Sequence, residues 1–132
     1  MNIFVDTSAF YALMSRVDAK HTEAVTRWDR VLADSSITMY TSNYVVVETV
    51  ALVQNRLGVD AVSIFTRDIL PAVTIIWVDE PTHFAATEAV LTAGRKNLSL
   101  VDCSSFAIMH ESGITTAFTY DDHFPQQGFS LS

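Results

Sequence analysis

Residues 2–15, NIFVDTSAFYALMS, change their hydrophobic period in mid-run. Asn2–Val5 is a short apolar run of strand length, whereas Thr7–Ser15 sets Phe10, Leu13 and Met14 at helical spacing. Asp6 stands at the switch. A strand that passes into a helix over one residue is how a β-α-β unit begins. In a parallel sheet that turn lies at the carboxyl edge, where function gathers.

The alternation continues along the chain. Ala19–Ala33 carries Val25, Trp28, Val31 and Leu32 on one stripe with charges opposite, an amphipathic helix. Ile37–Tyr40 is a short strand. Asn43–Leu57 is ambiguous: its YVVV favours a strand by β-branching, while its length, Gln54-Asn55-Arg56 and the stop at Gly58 favour a helix. Helix is the reading taken. Val59–Leu70 reads as a helix ending before Pro71, Val73–Val78 (VTIIWV) as a buried strand, and Pro81–Asn97 as a helix. Ser99–Ser112 is a helix closed by Gly113, and Thr115–Thr119 is a strand. From Phe124 to Ser132 the chain is a loop with a last short strand at Phe129–Leu131. With no repeat or linker, residues 1–132 read as a single domain. The expected class is α/β, a three-layer α/β/α sandwich with a central, mainly parallel sheet.

Composition narrows the function. The chain has 132 residues, 49% apolar or aromatic and 17% charged, the profile of a globular domain. No apolar run is long enough to span a bilayer, so no membrane role is expected, and MNIFVDTSAF does not resemble a secretory signal. Cys103 is the sole cysteine, which makes a reducing cytoplasm the expected compartment. A net charge of −7 argues against a protein that grips nucleic acid by a basic surface. Either the substrate is no polyanion, or the acidic excess is concentrated in a metal site.

Four acids sit where a domain should be apolar or turning. A carboxylate in such a place must be paired, protonated or metal-bound, because burying it alone costs several kcal/mol. Asp6 follows Ile3-Phe4-Val5 directly; it can cap the next helix or ligate a metal. Glu48 interrupts the most valine-rich stretch, on the helical stripe of Tyr44 and Leu52, and is either solvated there or partnered. Asp102 completes an S-x-x-D capping pattern with Ser99, and equally lies at the positive end of a helix. Asp121 and Asp122 share a turn where aspartate is common; Asp121, first after the strand, is the better ligand, and Asp122 is expected to face solvent.

His21, His83, His110 and His123 show no zinc-type spacing, whereas an all-carboxylate set with nearby hydroxyls suits Mg²⁺ or Mn²⁺. Cys103 is expected to be a small core residue. Ser104 and Ser105 lack a paired base, and no phosphate-cradling glycine loop occurs.

Taken in order, IFVDTSAFYAL, TSNYVVVETVALV, LSLVDCSSFAIMHESGI and TTAFTYDDHF resemble a PIN-domain ribonuclease, specifically the VapC-type toxin of bacterial and archaeal toxin–antitoxin pairs. The resemblance implies Asp6, Glu48, Asp102 and Asp121 as a quartet binding Mg²⁺ or Mn²⁺, with Thr7, Ser8 and Thr119 supplying hydroxyls near the metal. It also implies an RNA substrate, a homodimer, and a cognate antitoxin that covers the active site. The low Lys/Arg count departs from this picture, with Arg95 and Lys96 among the few cations able to touch a phosphate backbone. The doubled acid at Asp121-Asp122 departs from it too.

The chemistry so implied is hydrolysis of an RNA phosphodiester, with bound ions activating a water and offsetting transition-state charge. Substrate is expected single-stranded or as a loop, since unpaired bases can splay. One rival is a non-catalytic scaffold or binding module whose carboxylates only cap helices. Another is a phosphoryl-transfer enzyme using Asp6 as nucleophile. Ser8 stands where one such family needs a second acid, and no lysine follows Lys96 as another requires.

Overall fold

The computed structural model describes residues 1–132. Five strands form the sheet: β1 (Asn2–Val5), β2 (Thr38–Ser42), β3 (Thr74–Ile76), β4 (Thr116–Phe118) and β5 (Ser130–Leu131), in the order β3-β2-β1-β4-β5. Every pairing is parallel. Seven α-helices complete the three-layer α/β/α arrangement: α1 (Thr7–Met14), α2 (His21–Ala33), α3 (Asn43–Leu57), α4 (Val59–Ile64), α5 (Glu80–Ala93), α6 (Leu100–Ser112) and α7 (His123–Gln126). None is long and apolar enough to cross a membrane.

β1 is central, with Ile3 opposite Met39 on one side and Thr116 on the other. Layers on both faces bury it, which is why Ile3, Phe4 and Val5 are uninterruptedly apolar. From β1 the chain moves outward through β2 to β3, then returns to the far side of β1 for β4 and β5. The carboxyl ends of β1 and β4 therefore flank the point where the sheet reverses its winding, and a crevice opens between the loops that leave them.

Tertiary packing decides the ambiguous segment in favour of α3. Ser42 Oγ caps it by accepting from Val45 N at 3.1 Å, and Val45, Thr49 and Val53, spaced by four, are fully buried.

Several boundaries differ from the sequence reading. α2 starts at His21 rather than Ala19, and β2 runs on to Ser42. β3 spans only Thr74–Ile76 and is an edge strand rather than a buried one; Trp77 beyond it is 71% exposed. The helix expected at Val59–Leu70 stops at Ile64, widens into a π-turn at Phe65–Ile69 and ends in a 3₁₀ turn around Pro71, which has no N–H to offer. α5 ends at Ala93 because Gly94 takes a left-handed φ of 62°. The turn at 123–126 is helical.

Candidate metal-binding site

Asp6 ends β1 and caps α1 at once. Its backbone N–H continues the ladder to Phe118 O at 3.1 Å, while its side chain turns to the helix. Oδ2 accepts from Ser8 N at 3.3 Å, Ser8 Oγ at 2.8 Å and Thr119 Oγ1 at 3.0 Å. The hydroxyl protons of Ser8 and Thr119 are thus committed to one carboxylate oxygen. Their own oxygens accept from Tyr120 N and Asp121 N, each at 2.9 Å. This lattice binds the α1 turn to the loop after β4. Asp6 is 4% exposed, and burial pushes its pKa up to about 6, with the Ser8 hydroxyl opposing and the Asp102 charge adding.

Asp102 sits in the first turn of α6 and forms a complete capping box. Its N–H donates to Ser99 Oγ at 3.0 Å, and its Oδ2 accepts from Ser99 N at 3.1 Å. Burial raises its pKa against the Ser99 amide bond that lowers it, and Asp121 raises it further. Capping and cleft-lining coexist at both aspartates: the cap fixes the rotamer that aims the carboxylate.

Glu48 is half-buried on α3, and Thr49 ties that helix to α1. The Thr49 hydroxyl donates to Thr7 Oγ1 at 3.2 Å, and both threonines are buried. Burial raises the Glu48 pKa; the Thr7 hydroxyl opposes the shift, while Asp102 and Asp121 add to it. Asp121, in the loop after β4, accepts from His123 N at 2.9 Å. Asp122 is exposed, as expected.

Asp6, Glu48, Asp102 and Asp121, distant in sequence, all line one cleft of about 420 Å³, together with Thr7 and Ser8. Thr119 reaches it through Asp6. One donor atom each from Asp102, Asp121 and His123 lie within 4.8 Å of one another, although His123 itself does not line the cleft, while Asp6 and Glu48 line it outside this tighter group. A larger hollow of about 500 Å³ beside α5 and α6 is lined mainly by apolar residues and contains none of the four acids.

His123 corrects the sequence reading, which set the histidines aside because they lack mutual spacing. Its Nδ1 lies 2.8 Å from Asp121 Oδ1, without the alignment of a hydrogen bond. The available signal was its place two residues after Asp121, in the turn that ends β4. Lys20, Tyr11 and Tyr120 line the cleft unanticipated, whereas Arg95 and Lys96 do not line it. The donor set is oxygen-rich with one imidazole, which fits hard divalent cations and favours Mn²⁺ over Mg²⁺ if His123 ligates.

Fold and cleft together define a parallel α/β/α protein with a carboxylate site at its sheet's switch point. Residues 3–130 match the PIN domain family, and the chain belongs to it. It is 34% identical over 128 residues to the 23S rRNA-specific endonuclease VapC20 of Mycobacterium tuberculosis (strain H37Rv), covering 96% of this chain and 95% of that protein. The crystal structure of that organism's VapC20, described as a Sarcin–Ricin loop cleaving toxin, superposes with a TM-score of 0.83 at 32% identity, over 96% of this chain and 95% of that one. VapBC2 of Rickettsia felis, bound to a promoter DNA fragment, shares the fold at a TM-score of 0.72 and 14% identity, covering 100% and 98% of the two chains.

Proposed function

We propose that this chain is a Mg²⁺- or Mn²⁺-dependent endoribonuclease and the toxin of a type II toxin–antitoxin pair. The observation that carries the reading is the convergence of the four acids on one cleft at the sheet's switch point. Its substrate is proposed to be a ribosomal RNA loop of the sarcin–ricin kind, by likeness to the VapC20 crystal structure at 32% identity.

Asp102 and Asp121 would hold the cation, with Asp6 and Glu48 contributing directly or through water. A divalent cation bound there lowers the pKa of a water for in-line attack and offsets charge on the phosphoryl oxygens. The chain's own part is preorganisation. The Ser99 box holds the Asp102 carboxylate, and Thr119 and Ser8 fix Asp6. Asp6, at about 6, accepts a proton near neutrality, and approaching positive charge draws it back toward an ordinary carboxylate.

Toxin function further implies a cytoplasmic protein that dimerises with itself and is held by an antitoxin covering the cleft. Exposed Val47, Trp77, Phe84 and Leu91 supply apolar surface for partners of this kind.

The test is cleavage of a sarcin–ricin-loop RNA hairpin with Mg²⁺ or Mn²⁺. Wild type is expected to cut, and Asp6→Asn or Asp102→Asn to lose cutting while keeping the native circular dichroism spectrum. Unchanged cleavage in either variant rejects the site. A non-catalytic scaffold instead gives no cleavage and no metal-linked rise in Tm.

A further inference from the structure

A chain with net charge −7 must still attract a polyanion to an acidic cleft, and the cleft's rim offers a way. Lys20 is the only cation lining the cleft itself. Its Nζ stands 5.8 Å from the ring centroid of Tyr120, also a lining residue. Tyr11 lines the cleft as well, and the Arg56 guanidinium stands 5.5 Å from its ring centroid. Neither cation forms an ion pair. Arg27 is different: it is tied to Glu23 at 2.8 Å and to the Ser132 carbonyl.

The placement follows from the elements. Glu48, Leu52 and Arg56 recur every four residues on α3, so Arg56 extends the stripe whose first two members line the cleft. Lys20 sits in the turn before α2, held where its backbone N–H donates to Asp18 Oδ1 at 2.8 Å. A second cleft of about 280 Å³ shares Lys20, Tyr120 and Asp121 with the first, so the groove runs on past this pair.

We propose that Lys20 with Tyr120, and Arg56 with Tyr11, are the substrate-binding holds for the RNA strand at this site. The cations contact phosphates flanking the scissile one, and the tyrosine rings stack unpaired bases. A lysine or arginine resting over a ring is attracted weakly at an exposed site and swings to a phosphate at little cost. A ring so released offers a sequence-tolerant face to any base. The pairs stand beside the acids, so they add backbone affinity without neutralising the carboxylates that hold the cation. This inference rests on the nuclease reading and deepens it.

The test uses the full chain, Mn²⁺ and the sarcin–ricin-loop hairpin, with initial rates at several salt concentrations. Lys20→Gln and Arg56→Gln are each expected to raise KM about five- to tenfold with kcat within about twofold. Each is also expected to flatten the dependence of log KM on log salt by about 0.7, the share of one single-strand phosphate contact. Tyr11→Leu is expected to raise KM about tenfold without changing the salt slope. Arg67→Gln, the same charge change at an exposed position of the Phe65–Ile69 turn, is expected to match wild type. If Lys20→Gln and Arg56→Gln behave like Arg67→Gln while wild type cleaves, the proposal is overturned and the nuclease reading stands. If they tighten Mn²⁺ binding but leave KM unchanged, they are counter-charges to the acids and the proposal is overturned. A wild type that cuts neither the hairpin nor total RNA removes the nuclease reading, and this inference with it.

Discussion

Asp6→Asn keeps a carbonyl oxygen where Ser8 and Thr119 donate, and it removes a buried charge. In the folded protein Asp6 holds its proton up to about pH 6, against an ordinary value of 3.8. Between those values the folded state binds more protons than the unfolded one, so this group's contribution to stability falls as pH rises through the window. It is fully present below about pH 4 and gone above about pH 7. Two pKa units correspond to about 3 kcal/mol, or roughly 10 °C in Tm for a chain of this size. In EDTA at pH 8, Asp6→Asn is therefore expected to melt well above wild type, with the gap closing at pH 4. Mn²⁺ at about 1,000 times Kd is expected to reverse the order, since it adds about 4.1 kcal/mol to a protein that binds it, more than the gap of about 3 kcal/mol. The assay is thermal unfolding by circular dichroism across pH, with and without the ion. An asparagine variant less stable than wild type in EDTA at pH 8 refutes the reasoning, because the cap would then outweigh the burial cost.

Further outcomes follow from individual contacts. Asp121→Asn is expected to lower cleavage at least a hundredfold, whereas Asp122→Asn, at an exposed position, leaves it near wild type; equal losses would show that the doubled acid acts as a unit. Ser99→Ala removes the cap of α6 and is expected to cost about 1 kcal/mol in urea unfolding, with a larger loss in cleavage because Asp102 is no longer aimed. Thr119→Val strips, from a residue only 2% exposed, the hydroxyl that donates to Asp6 and accepts from Asp121 N, a cost of about 1–3 kcal/mol read by the same unfolding.

Much of the fold is legible because the central strand speaks unambiguously. Ile3-Phe4-Val5 is apolar on both faces and Asp6 ends it, so the first strand–helix turn is written in six residues. What the sequence conceals depends on neighbours. Val73–Val78 has the composition of a central strand but finds only β2 beside it, and apolar content does not distinguish an edge from a middle. The valines at 45–47 prefer strand locally, yet burial of Val45, Thr49 and Val53 on one face overrides that preference. Among the acids, pattern identified the candidates but left each with a local explanation. The fold resolves this by using the cap at Asp6 and the box at Asp102 to point both carboxylates into the cleft. His123 escaped because its partners, Asp102 and Asp121, are brought to it by topology rather than spacing. Lys20 and Arg56 escaped because a lone exposed cation carries no pattern.

The nuclease reading requires a hard divalent cation to bind where these carboxylates meet, and calorimetric Mn²⁺ titration measures that binding. Wild type is expected to take up the ion saturably, Asp102→Asn and Asp121→Asn at least tenfold more weakly, and RNA cleavage to rise with occupancy. Equal Mn²⁺ uptake by all three proteins, or undiminished cleavage in EDTA, contradicts it.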